Sequence, residues 1–359
     1  MECGYFTLTD NPPSYGADRR DANQFLREVL AESVLAEELG FASVWLPEHH
    51  FGLFGCLPNP AVYLAHLAAK TRRVKLAPGT VVLPINQPLR LAEEFLSLDL
   101  LSDGRAIFCA GRGYDHREFD GFGISIDESR ERFDEAFALV RRAFTEEQFT
   151  FDGKYYQVPE PVTLLPRPVQ RPHPPMYVAC WSLPTIEMAA REGYHAIFAP
   201  FAAAMMHGGL DKAAAAFRAL AAEAGHPRPR VMCSYFFAIV DGPAEKRRAQ
   251  ERLMKYLLGA APALVDRDKP PPPHLGYMAD VVAQLERLDP GDLGERSFIC
   301  GSPEECIAAL KRVEAAGVDE VILYFNFGAL DHRQTTRMME RFAREILPHV
   351  GAAPAAVSP

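Results

Sequence analysis

The sequence predicts an α/β protein with the architecture of a (β/α)8 TIM barrel, formed by one domain over residues 1–350 and followed by a tail, 351–359, that is expected to be disordered. Apolar runs alternate with amphipathic stretches along the whole chain. About eight of these runs are almost continuously apolar, which is typical of parallel strands buried on both faces. A chain of 359 residues has the length of one such barrel. An open doubly wound sheet is the structural alternative.

The elements follow one another in a regular order. The helical stretch 23–40 places Phe25 and Val29 near one face and stops at Gly40, a favourable C-terminal cap. The stretch 88–104 opens with proline and closes with glycine, the usual asymmetry of helix ends. The predicted strands are 3–9, 42–47, 74–84, 105–111, 176–181, 195–201, 230–240 and 319–327. The predicted helices are 23–40, 60–71, 88–104, 127–144, 184–193, 211–225, 243–259, 302–317 and 333–350.

Two insertions interrupt this alternation. Residues 145–175 predict a small hairpin that turns at Asp152-Gly153 and continues into a proline-rich connector. Residues 262–300 contain the run DRDKPPPPHLGY and predict an excursion over one face of the barrel. Both a lid at the active end and a plain linker fit such a composition.

The composition excludes several classes of partner. The formal net charge of −9 argues against nucleic acid or an anionic membrane, because both favour a basic face. The sequence has no run of the roughly 18 consecutive apolar residues that span a bilayer, and we expect a cytoplasmic protein. The seven cysteines form no C-x-x-C pair, so they indicate neither a disulfide framework nor a zinc site. We interpret them as small buried apolar residues.

The motif EHHF follows the second predicted strand. This strand ends at Pro47, so Glu48, His49 and His50 lie at its carboxyl end, where the catalytic groups of parallel barrels collect. Adjacent residues leave a strand in opposite directions, and the two imidazoles are therefore not expected to share a metal ion. One histidine can face the barrel mouth while the wall holds the other. A hydrogen-bonded structural histidine is the alternative.

A second motif, GRGYDHREFDGFG, follows the fourth strand. It lacks the third glycine of the dinucleotide fingerprint, and the chain has no P-loop. Arg112 lies between two glycines that let the backbone approach a ligand, and the geometry of arginine suits a phosphate. Arg130 begins the next helix and is able to serve the same pocket. A solvated surface arginine is the alternative at both positions.

A third motif, YVACWSLPTIEMAA, runs from a strand into a helix through Ser182 and Thr185. Unpaired N–H groups at a helix start, together with hydroxyls, form a natural anion site. An ordinary N-cap is an equally good interpretation. Two arginines and a helix start at one end of a barrel predict a phosphate-bearing cofactor, and the sequence offers nothing for a dinucleotide tail.

Eight stretches of the chain resemble, in the same order, those of the bacterial luciferase-like flavin monooxygenases, and among them the luciferase α subunit most closely. The resemblance runs from Gly4 to about Val350, and EHHF and VVLP-x-x-x-P are its most specific pieces. The stretches are YFTLTDNPP, FASVWLPEHHFGLFG, GTVVLPINQPLRLAEE, LSDGR, GRGYDHREFDGFG, SRERFDE, MYVACWSLPTIEMAA and GSPEECIAAL.

The resemblance implies a barrel that binds reduced FMN, which reacts with O2 to give a C4a-peroxyflavin. His49 matches the catalytic histidine of the family. Further matches concern the flavin: arginines and hydroxyls at its phosphate, and a cis peptide bond between Gly79 and Thr80 beneath its ring. The residues matched at the phosphate are Arg112, Arg130, Ser182 and Thr185.

The chain departs from luciferase inside the flavin pocket. Gly111 occupies the place of a reactive cysteine, and Cys180 or Trp181 falls where luciferase has an acidic residue. Trp181 is expected to add an aromatic wall beside the cofactor. The resemblance therefore implies the same class of flavin chemistry. It does not imply that the substrate is a long-chain aldehyde or that the reaction emits light. Candidate residues of the substrate pocket are Phe6, His50, Phe51 and Tyr114.

The leading hypothesis is an FMNH2-dependent monooxygenase that receives reduced flavin from a separate reductase. Its substrate would be a small apolar or aromatic compound, oxidised with O2 in a tailoring step on a secondary metabolite. A deazaflavin-dependent hydride-transfer enzyme is one alternative, and a non-catalytic partner like the luciferase β subunit is another. The early helices and LSLDLLSDG are apolar enough to bury a face, so we expect a homodimer.

Overall fold

A computed structural model of the protein describes residues 1–200, 203, 207–265, 276–294 and 296–351. It confirms the (β/α)8 barrel. The main sheet is parallel throughout, in the order β3-β2-β1-β12-β10-β9-β8-β5-β4, and a bridge between Leu76 and Ala106 joins its two ends. The strands are β1 (Glu2–Phe6), β2 (Ser43–Leu46), β3 (Lys75–Pro78), β4 (Val81–Val82), β5 (Phe108–Gly111), β6 (Phe149–Asp152), β7 (Gln157–Val162), β8 (Met176–Cys180), β9 (His195–Phe198), β10 (Val231–Ile239), β11 (Phe298–Gly301) and β12 (Glu320–Tyr324).

The strands differ from the sequence prediction in two places. The predicted strand 74–84 is divided into β3 and β4, with Gly79 and Thr80 between them. Strand β11 was not predicted. It pairs with the second half of β10, from Phe236 to Ile239, because β10 is nine residues long and extends past its neighbours in the barrel wall.

Helices cover the outside of the barrel at the predicted places. Sequence signals define several of their ends: Asp21 accepts the Gln24 N–H at the start of α1, and Ser302 and Glu305 form a capping box on α10. The short α4 and α9 were not predicted. Within the described ranges, no helix combines the length and the apolar character needed to cross a membrane. The helices are α1 (Ala22–Glu38), α2 (Pro60–Lys70), α3 (Pro88–Leu101), α4 (His116–Gly121), α5 (Ser129–Thr145), α6 (Leu183–Glu192), α7 (Leu210–Glu223), α8 (Pro243–Leu264), α9 (Tyr277–Leu285), α10 (Pro303–Ala315), α11 (His332–Glu345) and α12 (Leu347–Val350).

The first insertion forms the predicted hairpin, with β6 and β7 antiparallel. Its turn is held on the side of α5, because Glu135 accepts the backbone N–H groups of Lys154 at 2.9 Å and Tyr156 at 2.6 Å. These contacts fit a connector better than a lid. In the second insertion the structure describes α9 and β11. The proline-rich run at 266–275 and the tail at 352–359 lie outside the described residues.

The apolar core has two layers. Alternate strand residues fill the barrel interior, among them Trp45, Tyr177 and Tyr324, while their neighbours pack outwards against the helices. All seven cysteines are free thiols, as predicted. Five of them are buried in the core, and the other two are partly buried.

Phe108 on β5 lies in the outer layer of the core. Its substitution measures how much the packing of this layer contributes to the stability of the fold. Its fully buried ring lies 5.1 Å from that of Phe95 and 5.5 Å from that of Phe144, centroid to centroid. We expect Phe108→Ala to lower the free energy of unfolding by about 3–5 kcal/mol, measured by urea denaturation. Leu165→Ala is the control, because Leu165 is 70% exposed and its removal should change stability by less than about 0.5 kcal/mol.

Candidate active site

The three sequence motifs meet at one end of the barrel. The strands β2, β5 and β8 are parallel, and each motif follows the carboxyl end of its strand. Carboxyl ends of parallel barrel strands face the same mouth. The segments after Leu46, Gly111 and Cys180 therefore surround a common opening.

His49 forms a buried pair with Glu118 of α4. The Nδ1 atom of His49 lies 3.2 Å from Oε1 of Glu118, and only 7% of His49 and 2% of Glu118 is exposed. The imidazole also packs edge-on against Phe54, with 5.0 Å between ring centroids. Gly55 allows this packing, since a Cβ atom there would lie 2.7 Å from the imidazole. The ring of His49 is thus held in one orientation.

Electrostatics at this pair favour the carboxylate form of Glu118. Burial acts to raise the pKa of Glu118, but the hydrogen bond and charge of His49 and the His50 N–H, 2.7 Å away, together lower it below its ordinary value. An ionised carboxylate only accepts hydrogen bonds, so Nδ1 of His49 carries the proton. The other ring nitrogen, Nε2, is not the atom that contacts Glu118, and it is the one available for proton transfer.

His50 is held by a different carboxylate, as expected if adjacent side chains diverge. Its Nε2 lies 3.0 Å from Oε1 of Glu48, and its ring packs edge-on against Phe122 at 4.7 Å. Glu48 also accepts the Val82 N–H at 2.7 Å and the side-chain amide of Asn86 at 2.8 Å. Glu48 and His50 therefore fasten the loop after β2 to the end of β4 and the segment that follows it, and His50 has the character of a wall residue.

The predicted phosphate residues converge at the starts of α5 and α6. Nη1 of Arg130 donates to Oγ1 of Thr185 at 2.9 Å, and that oxygen lies 3.0 Å from Oγ of Ser182. Nε of Arg130 is also paired with Asp134 at 3.1 Å. Arg112 belongs to the same cluster, because its charge acts with that of Arg130 to lower the pKa of Asp134, although burial leaves that pKa raised overall.

Ser182 is the N-cap residue of α6, yet its side chain makes no capping hydrogen bond. Its hydroxyl is instead directed to Thr185. This arrangement argues against an ordinary N-cap, because an N-cap serine would bond to an N–H group of the first helical turn, and the anion site stays a prediction. The hydroxyls of Ser182 and Thr185 form one polar group with Arg130.

Two small residues shape the wall next to this cluster. A Cβ atom at Gly111 would lie 2.5 Å from Oγ1 of Thr80, and one at Gly113 would lie 2.6 Å from Val82. Gly113 also has a φ of +78°, a conformation that favours glycine. The Gly79–Thr80 peptide bond is cis, the conformation implied by the resemblance. Arginines, hydroxyls and closely approaching backbone suit the phosphate end and ring of a mononucleotide such as FMN.

Aromatic side chains border the mouth. Trp181 and Tyr114 stack with 5.7 Å between centroids and 15° between planes, which forms the aromatic wall expected from Trp181. Phe6 is buried in the barrel interior beside Gly79, whereas Phe51 is 57% exposed on the rim. Cys180 differs from the other candidates, because its side chain lies in the outer core layer and burial raises its thiol pKa.

Glu118 is the site residue that the sequence did not reveal. It lies 69 positions after His49 in the chain and within a short helix that no periodic pattern marked. The sequence did contain one signal, because Glu118 is an acidic residue in the segment that follows β5, a strand of the same barrel. Only the folded chain shows that this residue, rather than Asp115 or Asp120 beside it, reaches the imidazole.

Comparison with known proteins shows the family to which this chain belongs. The family model described as luciferase-like monooxygenase matches residues 1–320, and the chain belongs to that family. It is 24% identical to the oxygenase component of the flavin-dependent trigonelline monooxygenase of Acinetobacter baylyi, over 92% of each chain. It is 33% identical to an alkanal monooxygenase alpha chain of Photorhabdus luminescens, over 54% of this chain and about half, 52%, of the relative.

Solved structures agree on the fold. The monooxygenase RslO1 from Streptomyces bottropensis superposes with a TM-score of 0.81 at 31% identity, over 97% of this chain and 99% of that one. An F420-dependent secondary alcohol dehydrogenase superposes with a TM-score of 0.72 over 98% and 99% of the two chains, but at 19% identity. The second likeness shows a shared fold alone.

The His49–Glu118 pair can be tested by titration. We expect His49→Ala to raise the pKa of Glu118, because the substitution removes the hydrogen bond and the charge that oppose the effect of burial. The measurement is a pH titration of the glutamate carboxyl carbons by NMR, with Glu118→Gln used to assign the resonance. The control His66→Ala, on the exposed side of α2, should leave the pKa of Glu118 unchanged. An equal pKa in the wild type and in His49→Ala would contradict the pairing.

Proposed function

We propose that the protein is an FMNH2-dependent monooxygenase, which transfers one oxygen atom of O2 to a small apolar or aromatic organic compound and receives its reduced flavin from a separate reductase. The proposal rests on two groups that lie at the same barrel mouth: the oriented imidazole of His49 and a cluster of arginines and hydroxyls that is suited to bind an anion. Tyr114 lies near both groups. Its ring stacks on Trp181, which precedes Ser182 in the chain, and burial together with the nearby charge of Glu118 raises the pKa of its hydroxyl.

The residues divide the work by their chemistry. The cluster formed by Arg112, Arg130, Ser182 and Thr185 would hold the phosphate of FMN, since guanidinium groups and hydroxyls donate hydrogen bonds to such an anion. Reduced FMN bound there would supply the electrons that activate O2. The stacked rings of Tyr114 and Trp181 would shield the reaction from water.

His49 would transfer the proton that the oxygenation requires. Its Nε2 is free to do so because Glu118 occupies Nδ1. Glu118 would act as a positioning residue, through the tautomer and orientation of the imidazole. The substrate would lie against the aromatic surfaces of the mouth, and its apolar or aromatic class follows from those side chains. A tailoring step on a secondary metabolite is our inference for its biological role.

A deazaflavin-dependent hydride transfer is the alternative, favoured by the shared fold with the F420-dependent dehydrogenase. A non-catalytic partner role is a further alternative, and the oriented His49 speaks against it, because a subunit without chemistry would not need that pair. Fluorescence titration of the purified chain with FMN and with a deazaflavin separates the three. Binding of FMN alone supports the proposal, binding of the deazaflavin alone supports hydride transfer, and binding of neither supports a partner role.

We expect His49→Ala to retain FMN binding but to lose about 100-fold or more of its oxygenation, the usual contribution of general acid–base catalysis. The measurement is incorporation of 18O from labelled O2 into a compound accepted from a panel of aromatic ketones, aldehydes and phenols, with saturating FMNH2. The binding control is Arg130→Gln, which should weaken FMN roughly tenfold through loss of a charged hydrogen bond. Turnover of His49→Ala equal to that of the wild type would refute its role.

We also propose that the chain forms a homodimer through the apolar end of α3. Leu100 and Leu101 are 51% and 62% exposed there, which is unusual for two adjacent leucines unless a partner covers them. Leu101→Glu should convert the dimer to a monomer, as measured by size-exclusion chromatography with light scattering. Leu258→Glu, a charge introduced on exposed α8, should leave the dimer intact. A wild-type protein with the mass of one chain would exclude the interface.

A further inference from the structure

A second cavity lies at the opposite end of the barrel from the mouth. It has a volume of about 410 Å³ and opens where β8 and β9 begin, between the final turns of α5 and α6. Its walls combine cationic and imidazole side chains with apolar ones. The polar lining consists of Arg141, Arg171, Glu192, His173, His195 and His226.

The two arginines give this cavity a positive balance. Nη1 of Arg141 is paired with Glu192 at 2.7 Å, so one cation is compensated. Within the part of the chain that the structure describes, the exposed side chain of Arg171 has no hydrogen bond and no ion pair, and its charge is therefore available to a ligand. Arg230, beside the cavity, is paired with Glu2 and with Glu320, so Arg171 supplies the uncompensated charge.

Imidazole side chains line the same space. His195 accepts the backbone N–H of Arg230 through Nδ1 at 3.1 Å, so its Nε2 carries the proton. Burial, with the Arg230 charge, lowers the pKa of His195 to about 4, and it remains a neutral donor near pH 7. The ring of His226 lies against Gly193, where a Cβ atom would approach it to 2.5 Å. An imidazole that is packed at this contact cannot easily turn away.

We propose that this cavity binds a small multivalent oxyanion, a phosphate-type group carried by a small molecule with an apolar part. Arg171 would supply the uncompensated charge, with Nε2 of His195 and the ring of His226 as hydrogen-bond donors. The apolar part would lie on the prolines and the tyrosine of the lining, Pro172, Pro175 and Tyr194. The site is independent of the flavin chemistry proposed for the mouth, since it lies at the amino ends of the strands.

Calorimetric titration with inorganic pyrophosphate at pH 7 tests the site. Because the mouth cluster is also expected to bind phosphate groups, the parent protein for the experiment is full-length Arg130→Gln. We expect this parent to bind one equivalent of pyrophosphate at the cavity, distinct from the weakened binding that Arg112 still supports at the mouth. Adding Arg171→Gln should weaken binding roughly tenfold, the effect of one charged hydrogen bond, and Arg171→Glu should abolish it. Adding Arg27→Gln, the same charge change on exposed α1, should have no effect.

The outcomes separate this proposal from the one made for the mouth. Pyrophosphate binding that Arg171→Gln weakens and Arg27→Gln does not supports the cavity, whether or not the wild type binds FMN. No binding by the Arg130→Gln parent, or equal weakening by both added substitutions, overturns it. Thermal unfolding curves for each variant verify that the fold is retained, which is expected because Arg171 and Arg27 are both exposed.

Discussion

The parallel alignment of the barrel strands is the constraint on which the rest of this structure depends. Since every strand runs in the same direction, each βα loop leaves from one rim. Residues far apart in the chain, such as His49, Arg112 and Ser182, are brought to one opening by the parallel strands that precede them. The same alignment separates this opening from the cavity at the amino ends of the strands, where Arg171 and His195 lie.

Buried carboxylates hold the loops of the mouth in place. A buried charge is costly unless it is paired and hydrogen-bonded, and here each one is satisfied by a different loop. Glu118 joins α4 to the loop after β2, and Glu48 joins that loop to β4. Asp10 accepts hydrogen bonds from Tyr15, Tyr324 and the Gly328 N–H, and burial raises its pKa to about 6. These polar contacts therefore fix the positions of the loops that form the mouth.

Steric limits complete this arrangement. Gly111 and Gly113 leave no room for a side chain next to Thr80 and Val82, so the wall beside the arginine cluster consists of backbone. At the position where the resemblance to luciferase implies a reactive cysteine, this chain has Gly111, which carries no thiol. The aromatic pair Tyr114 and Trp181 faces the opening on another side.

Much of the barrel could be predicted from the sequence, because its signals are local. Apolar runs, capping residues such as Asp21 and Ser302, and the turn at Gly153 each depend on neighbours a few positions away. His49, His50 and Arg112 could be identified as candidate site residues for the same reason, because each comes directly after the end of a predicted strand. Strand β11 and the helices α4 and α9 were missed, because short elements carry too few residues to show a period.

Only the tertiary structure decided which side chains meet. The partner of His49 is Glu118, 69 positions away, and local sequence gives no reason to prefer it to Asp115 or Asp120. The hydroxyl of Ser182 turns to Thr185 and Arg130 instead of capping its helix, a choice that depends on α5 lying beside α6. Local sequence determines where a strand or helix begins and ends, but contacts across the barrel depend on closure of the whole ring, which no short segment encodes.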